Sequence, residues 1–135
     1  MTANDTSVMP LVVWGASGHA AAVAEMIRGC DQLEIAGFID DVDPARAGEV
    51  FCDSTILGGE GALHGLTGYG VRHVVLGFGH CSGRLAVAAR VRAMGLNLLT
   101  LVHPSAVVSP TAVLGEGTVV MAGAIIEAEC RIGEA

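Results

Sequence analysis

The sequence predicts an α/β domain with a small parallel sheet, followed by the first coils of a parallel β-helix. Over about the first hundred residues, short apolar runs alternate with segments of helical spacing. Such alternation predicts a parallel sheet covered by helices. Over the last third of the chain an apolar residue returns at every sixth position, which is typical of a parallel β-helix. The two predicted domains are residues 1–101 and 102–135, with the boundary near Leu101.

The α/β domain begins with a strand, a glycine turn and a helix. Residues 11–14 are a short apolar run of the kind that forms a buried parallel strand. The glycine turn at residues 15–19 follows directly, and residues 20–30 then have helical spacing with Gly29 as a stop signal. The first ten residues lack the basic and apolar regions of a signal peptide and are predicted to be a lead-in segment.

The other elements of this domain follow from the same pattern of apolar runs and breaks. One strand ends at the adjacent Asp40 and Asp41 and a later one at Gly77, so these residues are expected at the same edge of a parallel sheet. The predicted elements, in chain order, are a strand at 35–39, a short strand and turn at 55–59, a short helix at 61–66, a strand at 72–76, a helix at 84–94 ending at Gly95, and a last strand at 98–102.

The hexapeptide repeat keeps its register over residues 102–133. Its prolines and glycines disfavour an amphipathic helix, and its adjacent apolar pairs do not fit the period of two that a simple strand shows. Three hexapeptides make one triangular coil in such proteins, so fewer than two coils and an exposed stacking face are expected. The aliphatic side chains predicted to point inward and stack are Val102, Val108, Leu114, Val120, Ile126 and Ile132.

Composition and charge argue against several classes of function. The net charge is −7 and no basic stripe is present, so a nucleic-acid partner is not expected. The four cysteines include no C-x-x-C pair, which favours free thiols in a reducing cytoplasm over a disulfide framework or a metal site. No apolar run reaches the roughly eighteen residues of a membrane span.

The glycine turn is the first candidate binding site. Gly15 and Gly18 allow a tight turn, and the helix that follows offers free N–H groups and a positive dipole to an anion. The dinucleotide-binding fingerprint has a third glycine, and Ala21 stands in that slot here. The pattern predicts a phosphate or ribose near the strand ends, with a purely structural turn as the alternative.

Polar residues elsewhere extend this candidate site. The carboxylates of Asp40 and Asp41 could accept hydrogen bonds from ribose hydroxyls or a base edge, and a solvated turn is the alternative. His19 begins a helix beside the glycine turn, so a ligand contact is predicted there, whereas His103 is given a turn role. No function is predicted for the other histidines, His64, His73 and His80.

Taken in order, these motifs resemble the sugar acyltransferases of the NeuD/PglD type, which include sialic-acid O-acetyltransferase and UDP-4-amino-sugar N-acetyltransferase relatives. The matching stretches are VVWGASGHAAAVAEMI, GFIDD, ILGG, VVLGFG and LVHPSAVVSPTAVLGEGTVVMAGAIIE. The resemblance implies a Rossmann-like domain that binds a nucleotide sugar, a left-handed β-helix that binds acetyl-CoA, and a homotrimer. The resemblance and the glycine turn together predict which residues bind the substrate. These residues are Gly15, Ser17, Gly18, His19, Asp40, Asp41 and Gly77.

The resemblance also implies a histidine general base followed by an acidic residue. Residues 123–130 echo that family motif, but Ala128 stands in the histidine slot, so no catalytic residue is assigned. The histidine coil and most of the acetyl-CoA site are expected beyond Ala135. The prediction is therefore a truncated sugar O- or N-acetyltransferase that is inactive by itself.

Two other functions use the same features. A nicotinamide-dependent oxidoreductase fragment would account for the glycine turn, although the missing third glycine and the repeat count against it. A non-catalytic module that binds a nucleotide sugar and assembles through the repeat would account for both parts of the chain.

Overall fold

The computed structural model describes residues 7–135, in which an α/β part precedes six short stacked strands. The helices of the α/β part are α1 (Gly18–Arg28) and α2 (Cys81–Ala93). Its strands are β1 (Met9–Trp14), β2 (Leu33–Ile39), β3 (Val50–Phe51), β4 (Ser54–Gly58), β5 (His73–Leu76) and β6 (Asn97–Leu98). The predicted lead-in falls partly on residues 1–6, outside the described residues, and its end is already part of β1.

These strands form one sheet in the order β3-β4-β2-β1-β5-β6. All neighbours are parallel except β3 and β4, which form an antiparallel hairpin. From β1 the chain moves outward to β2 and β4, and then returns to place β5 and β6 on the other side of β1. The strand order therefore reverses at β1, and in open α/β sheets such a reversal opens a crevice at the carboxyl edge.

The sheet is buried on both faces, as the apolar strand runs predict. Leu11 and Val13 of β1 pack in the cluster that includes Val23 of α1, whereas the intervening Val12 packs in the cluster that includes Val87 of α2. Alternate side chains of one strand thus enter two separate cores, because successive side chains point to opposite faces. This packing on both faces fixes the position of the carboxyl edge of the sheet.

The helix ends show which local signals act. Gly95 follows α2 with a φ of +74°, the left-handed conformation that glycine adopts without strain. Gly29 ends α1 in a right-handed conformation instead, with a φ of −72°. The helix predicted at 84–94 begins earlier, at Cys81, because Nδ1 of His80 accepts the N–H of Gly83 and so caps the first turn.

The hexapeptide repeat forms two layers of strands on three faces, the start of the predicted β-helix. Each of the first three strands pairs in parallel with the strand eighteen residues further on. Of the residues predicted to point inward, Val120 is 4% exposed, but Val102 and Ile132, in the first and last strands of the stack, are each 40% exposed. Val107 and Ile125, one position before predicted inward residues, point outward and are 62% and 68% exposed. The strands are β7 (Leu101–Val102), β8 (Val107–Val108), β9 (Val113–Leu114), β10 (Val119–Val120), β11 (Ile125–Ile126) and β12 (Arg131–Ile132).

The single strand predicted at 98–102 was wrong, because two strands occupy that stretch. Strand β6 pairs with β5 in the α/β sheet, whereas β7 pairs with β10 in the β-helix. The helix predicted at 61–66 is a longer 3-10 helix, Glu60–Tyr69, and β3 was not predicted. The domain boundary near Leu101 stays a prediction.

The structure also bears on the environment of the chain. Among residues 7–135 no helix has both the length and the apolar character needed to cross a membrane. All four cysteines are free thiols. The cytoplasmic location stays a prediction.

Candidate functional site

A cavity of about 580 Å³ opens at the carboxyl edge of the sheet, where β1, β2 and β5 end. Of the predicted binding residues, Gly15, Ser17, Asp40 and Asp41 line it, whereas Gly18, His19 and Gly77 do not. The cavity therefore lies in the crevice that the reversal of strand order creates. Its wall adds residues for which the sequence had predicted no role, including Trp14, Arg46, Phe78, His80 and Arg90.

Asp40 is buried and organises the loop beneath the cavity. Its Oδ1 accepts the backbone N–H groups of Val42 (3.2 Å) and Asp43 (2.9 Å), and its Oδ2 accepts Nη1 of Arg46 (2.8 Å). The same Nη1 also donates to the carbonyl of Ala16 at 3.0 Å, which ties this loop to the glycine turn. Both oxygens of Asp40 are thus engaged within the protein, and a direct ligand contact by this residue stays a prediction.

Asp41 and Arg90 form a second charged pair on the cavity wall. Nη2 of Arg90 donates to Oδ2 of Asp41 at 3.3 Å, and its Nη1 lies 3.3 Å from Oε2 of Glu60. The guanidinium carbon lies 5.2 Å from the centroid of the Trp14 ring, a cation–π distance. Two carboxylates therefore hold a planar cation over an aromatic ring at the mouth of the cavity.

In the glycine turn, close packing requires a glycine at position 15, whereas Ser17 and Gly18 are not constrained in this way. A Cβ atom on Gly15 would lie 2.6 Å from the carbonyl oxygen of Gly77, and the φ of Gly15 is +126°. A Cβ atom on Gly18, at the start of α1, would meet nothing within 4 Å. Ser17 is exposed and its side chain makes no capping hydrogen bond to α1. The hydroxyl of Ser17 and the N-terminus of α1 are therefore open to an anion.

His80 faces the cavity in a defined hydrogen-bonding state. Its Nδ1 accepts the N–H of Gly83 at 3.2 Å, so a neutral ring carries its proton on Nε2. The same ring caps α2 and lines the cavity wall. The Nε2–H of such a ring can donate a hydrogen bond to a ligand.

His19 lies beside the cavity, where it is half-buried. Burial, and to a lesser extent the positive charge of Arg84, lowers the pKa of His19 below its ordinary value. A neutral imidazole beside the glycine turn can accept a hydrogen bond from a ligand. His103 has the turn role predicted for it, because its Nδ1 accepts the N–H of Ser105 at 3.0 Å.

The sequence offered a weak signal for one of the residues it missed. Arg46 is the single cation in the acidic stretch between residues 40 and 60, which marks it as a partner for those carboxylates. Arg90 and Phe78 reach the cavity only because the sheet and α2 bring them there, so no local pattern could identify them.

Comparisons with known proteins agree with this architecture. Residues 10–91, more than half of the chain, match the family model of the PglD N-terminal domain. A UDP-N-acetylbacillosamine N-acetyltransferase from Bacillus subtilis (strain 168) is 33% identical over 122 residues, which cover 83% of this chain and 51% of the relative. The chain thus spans about half the length of this curated relative.

Solved structures show the same fold. PerB from Caulobacter crescentus, in complex with CoA and GDP-perosamine, has a TM-score of 0.83 and 35% identity over 93% of this chain and 57% of its own. The acetyltransferase domain of PglB from Neisseria gonorrhoeae FA1090, in complex with acetyl coenzyme A, has a TM-score of 0.82 and 31% identity over 95% of this chain and 60% of its own. The resemblance read from the motifs is confirmed, and the chain belongs to the PglD N-terminal domain family, with a Rossmann-like α/β domain joined to the start of a β-helix.

Proposed function

We propose that this chain binds a nucleotide sugar in the cavity and is the acceptor-binding part of a sugar N-acetyltransferase that uses acetyl-CoA as its donor. The cavity at the carboxyl edge of the sheet carries this proposal. It combines an aromatic ring, paired carboxylates and arginines, and a free helix N-terminus. The similar proteins support the substrate class, because PerB was solved with CoA and GDP-perosamine and the Bacillus relative is a UDP-sugar N-acetyltransferase.

The cavity offers a separate surface to each part of such a ligand. The base can stack on the guanidinium of Arg90, which covers the ring of Trp14 and is partly exposed, and the ribose can donate to Asp41. The diphosphate can lie against the N-terminus of α1, where Ser17 adds a hydroxyl and backbone N–H groups favour an anion. Gly18 leaves room there, because a Cβ at this position would meet nothing within 4 Å apart from its chain neighbours and the backbone of α1 itself.

We also propose that residues 1–135 bind this acceptor without acetylating it. Acetyl transfer needs a base that removes a proton from the attacking amine. Ala128 stands in the histidine slot of the family motif. Within the described part of the chain no histidine forms an ion pair with a carboxylate. Acetyl-CoA would supply the acetyl group, and we assign none of the described residues to it.

The homotrimer remains a proposal of the same kind. Val107 and Ile125 are opposite each other on paired strands β8 and β11, and both are largely exposed. Such an outward apolar pair favours contact with another copy of the chain.

Trp14 provides the test, because it is the sole tryptophan of the chain and lies in the cavity wall. Titration with a UDP- or GDP-linked 4-amino sugar should change its fluorescence in a saturable way, and acetyl-CoA should not. Asp41→Asn should weaken binding roughly tenfold or more, because a hydrogen bond to a charged group contributes about 1.5–3 kcal/mol.

Asp31→Asn is the matched control, because Asp31 is exposed and lies outside the cavity. Its affinity should equal that of the unsubstituted chain. A response to NADH alone would contradict the proposed substrate class. Release of CoA thiol from acetyl-CoA in the presence of the amino sugar would contradict the claim that these residues do not catalyse.

A further inference from the structure

Arg84 is a buried cation that the proposed binding function does not use. It lies in the first turn of α2 and is 9% exposed. No carboxylate among residues 7–135 forms an ion pair with it. Burial lowers the pKa of Arg84 from its ordinary, very high value, and the guanidinium stays charged. A buried charge without a counter-ion is costly unless hydrogen bonds compensate it.

Three backbone carbonyls from two parts of the molecule supply these hydrogen bonds. Nη1 donates to the carbonyls of Leu76 (3.0 Å) and Phe78 (2.6 Å), where β5 ends and the cavity wall begins. Nη2 donates to the carbonyl of Gly117 at 3.0 Å, in the turn of the β-helix before β10. One planar guanidinium thus joins the cavity wall to the β-helix.

The turn that receives Arg84 is itself tied into the β-helix. Thr118 is buried, and its hydroxyl donates to the carbonyl of Gly115 at 2.7 Å, with the carbonyl oxygen of Gly133 3.2 Å away as an alternative acceptor. The carbonyl of Thr118 accepts the N–H of Leu101, which begins the first strand of the β-helix. A displacement at Gly117 would therefore reach the strand pair β7–β10.

We propose that Arg84 is a positioning residue that couples occupation of the cavity to the β-helix. This inference rests on the proposed function. A nucleotide sugar packed against Phe78 and His80 restrains the segment that Arg84 holds. The restraint passes through the guanidinium to Gly117 and orders the adjacent strands. Binding of the acceptor thereby steadies the paired strands β7 and β10 of the β-helix.

Arg92 is a natural control for this role. It lies on the same helix and also reaches the β-helix, with Nη2 at 2.7 Å from Oε2 of Glu134 and 3.3 Å from Oε2 of Glu116. These ion pairs are exposed, and Arg92 does not line the cavity. Arg92→Gln removes a link between α2 and the β-helix without touching the cavity wall.

Amide hydrogen exchange with and without a saturating UDP- or GDP-linked 4-amino sugar tests the coupling. In the unsubstituted chain the ligand should slow exchange at Leu101, His103 and Thr118 by about five- to tenfold, the range of modest coupling energies. Arg92→Gln should keep this effect. Arg84→Lys keeps the charge but loses the planar fork of the guanidinium, and it should still bind the ligand. In this variant a saturating ligand should slow exchange of the same amides by less than twofold.

The outcomes separate this inference from the proposed function. Ligand binding with no slowing in the unsubstituted chain overturns the coupling and leaves the binding site intact. Slowing that persists in Arg84→Lys equally overturns the role of Arg84. No binding by the unsubstituted chain overturns the proposed function and the coupling with it. The folding of Arg84→Lys is judged from its NMR spectrum of backbone amides. If this variant does not fold, the exchange data of the unsubstituted chain and of Arg92→Gln decide whether ligand binding is coupled to the β-helix.

Discussion

Gly77 lies at the end of β5, where its backbone packs against both a strand and a helix. A Cβ atom there would be 2.6 Å from Cγ1 of Val13 and 3.3 Å from Cα of Ala20. We expect Gly77→Ala to lower the free energy of unfolding by about 1–3 kcal/mol, because the added methyl overpacks a filled site. Urea unfolding followed by Trp14 fluorescence measures this loss.

Gly79→Ala is the control for this substitution, because Gly79 is exposed and a Cβ atom there would meet nothing within 4 Å. Its stability should stay within about 0.5 kcal/mol of the unsubstituted chain. Equal stability of the two variants would show that the close approach at Gly77 does not constrain the fold. Gly77 would then be open to the ligand-binding role predicted from the sequence.

His19 gives the stability a pH dependence whose sign follows from its environment. Burial and the charge of Arg84 lower its pKa in the folded state below the ordinary value of about 6.5. The unfolded state therefore binds more protons as the pH falls below 6.5. The stability contributed by neutral His19 is complete above that pH and is lost as the pH falls through the folded pKa.

Urea unfolding between pH 5 and 8 should thus show a loss of stability at low pH that His19→Gln reduces. Subtracting the two profiles removes the contribution of the other histidines. Identical profiles would mean that His19 titrates alike in the folded and unfolded states. Arg84→Met should also reduce the loss of stability at low pH, because it removes the second cause of the lowered pKa of His19.

At the same scale, the sequence identified positions in the cavity better than it identified their roles. Adjacent aspartates after a strand placed Asp40 and Asp41 at the correct edge. Only the three-dimensional contacts show that both carboxylate oxygens of Asp40 accept hydrogen bonds, from its own loop and from Arg46. The carboxylate of Asp41 stays partly exposed. The difference depends on which carboxylate turns inward, and two identical neighbours in a sequence carry no information about that.

At the scale of elements, strong periodicity predicted structure well and short elements escaped it. The period of six gave the strands of the β-helix, because each coil repeats the same inward aliphatic position. Strand β3 has only two residues, which are too few to show a period, and it is defined by its pairing with β4. The early start of α2 depended on a histidine acting as a cap, a role for which Ser, Thr, Asp or Asn is the usual signal.

At the scale of the whole molecule, the β-helix shares its core with the α/β part. Leu101 is 6% exposed and belongs to the buried cluster that contains Leu11 and Ile27. Val119 and Met121 of the β-helix pack against the same cluster. On the opposite face of the sheet, Ala135 packs against the second cluster. Because these contacts are buried and apolar, the two parts should unfold together.

Leu101→Ala tests this cooperativity. Removing a buried leucine side chain should lower the free energy of unfolding by about 2–4 kcal/mol, whereas Val107→Ala, at a position 62% exposed, should change it by less than about 0.5 kcal/mol. In urea, Trp14 fluorescence reports on the α/β part and far-ultraviolet circular dichroism on the whole chain. Both probes should shift to the same lower midpoint in Leu101→Ala. A shift in circular dichroism with an unchanged Trp14 transition would mean that the β-helix unfolds separately and that Leu101 does not join the two parts.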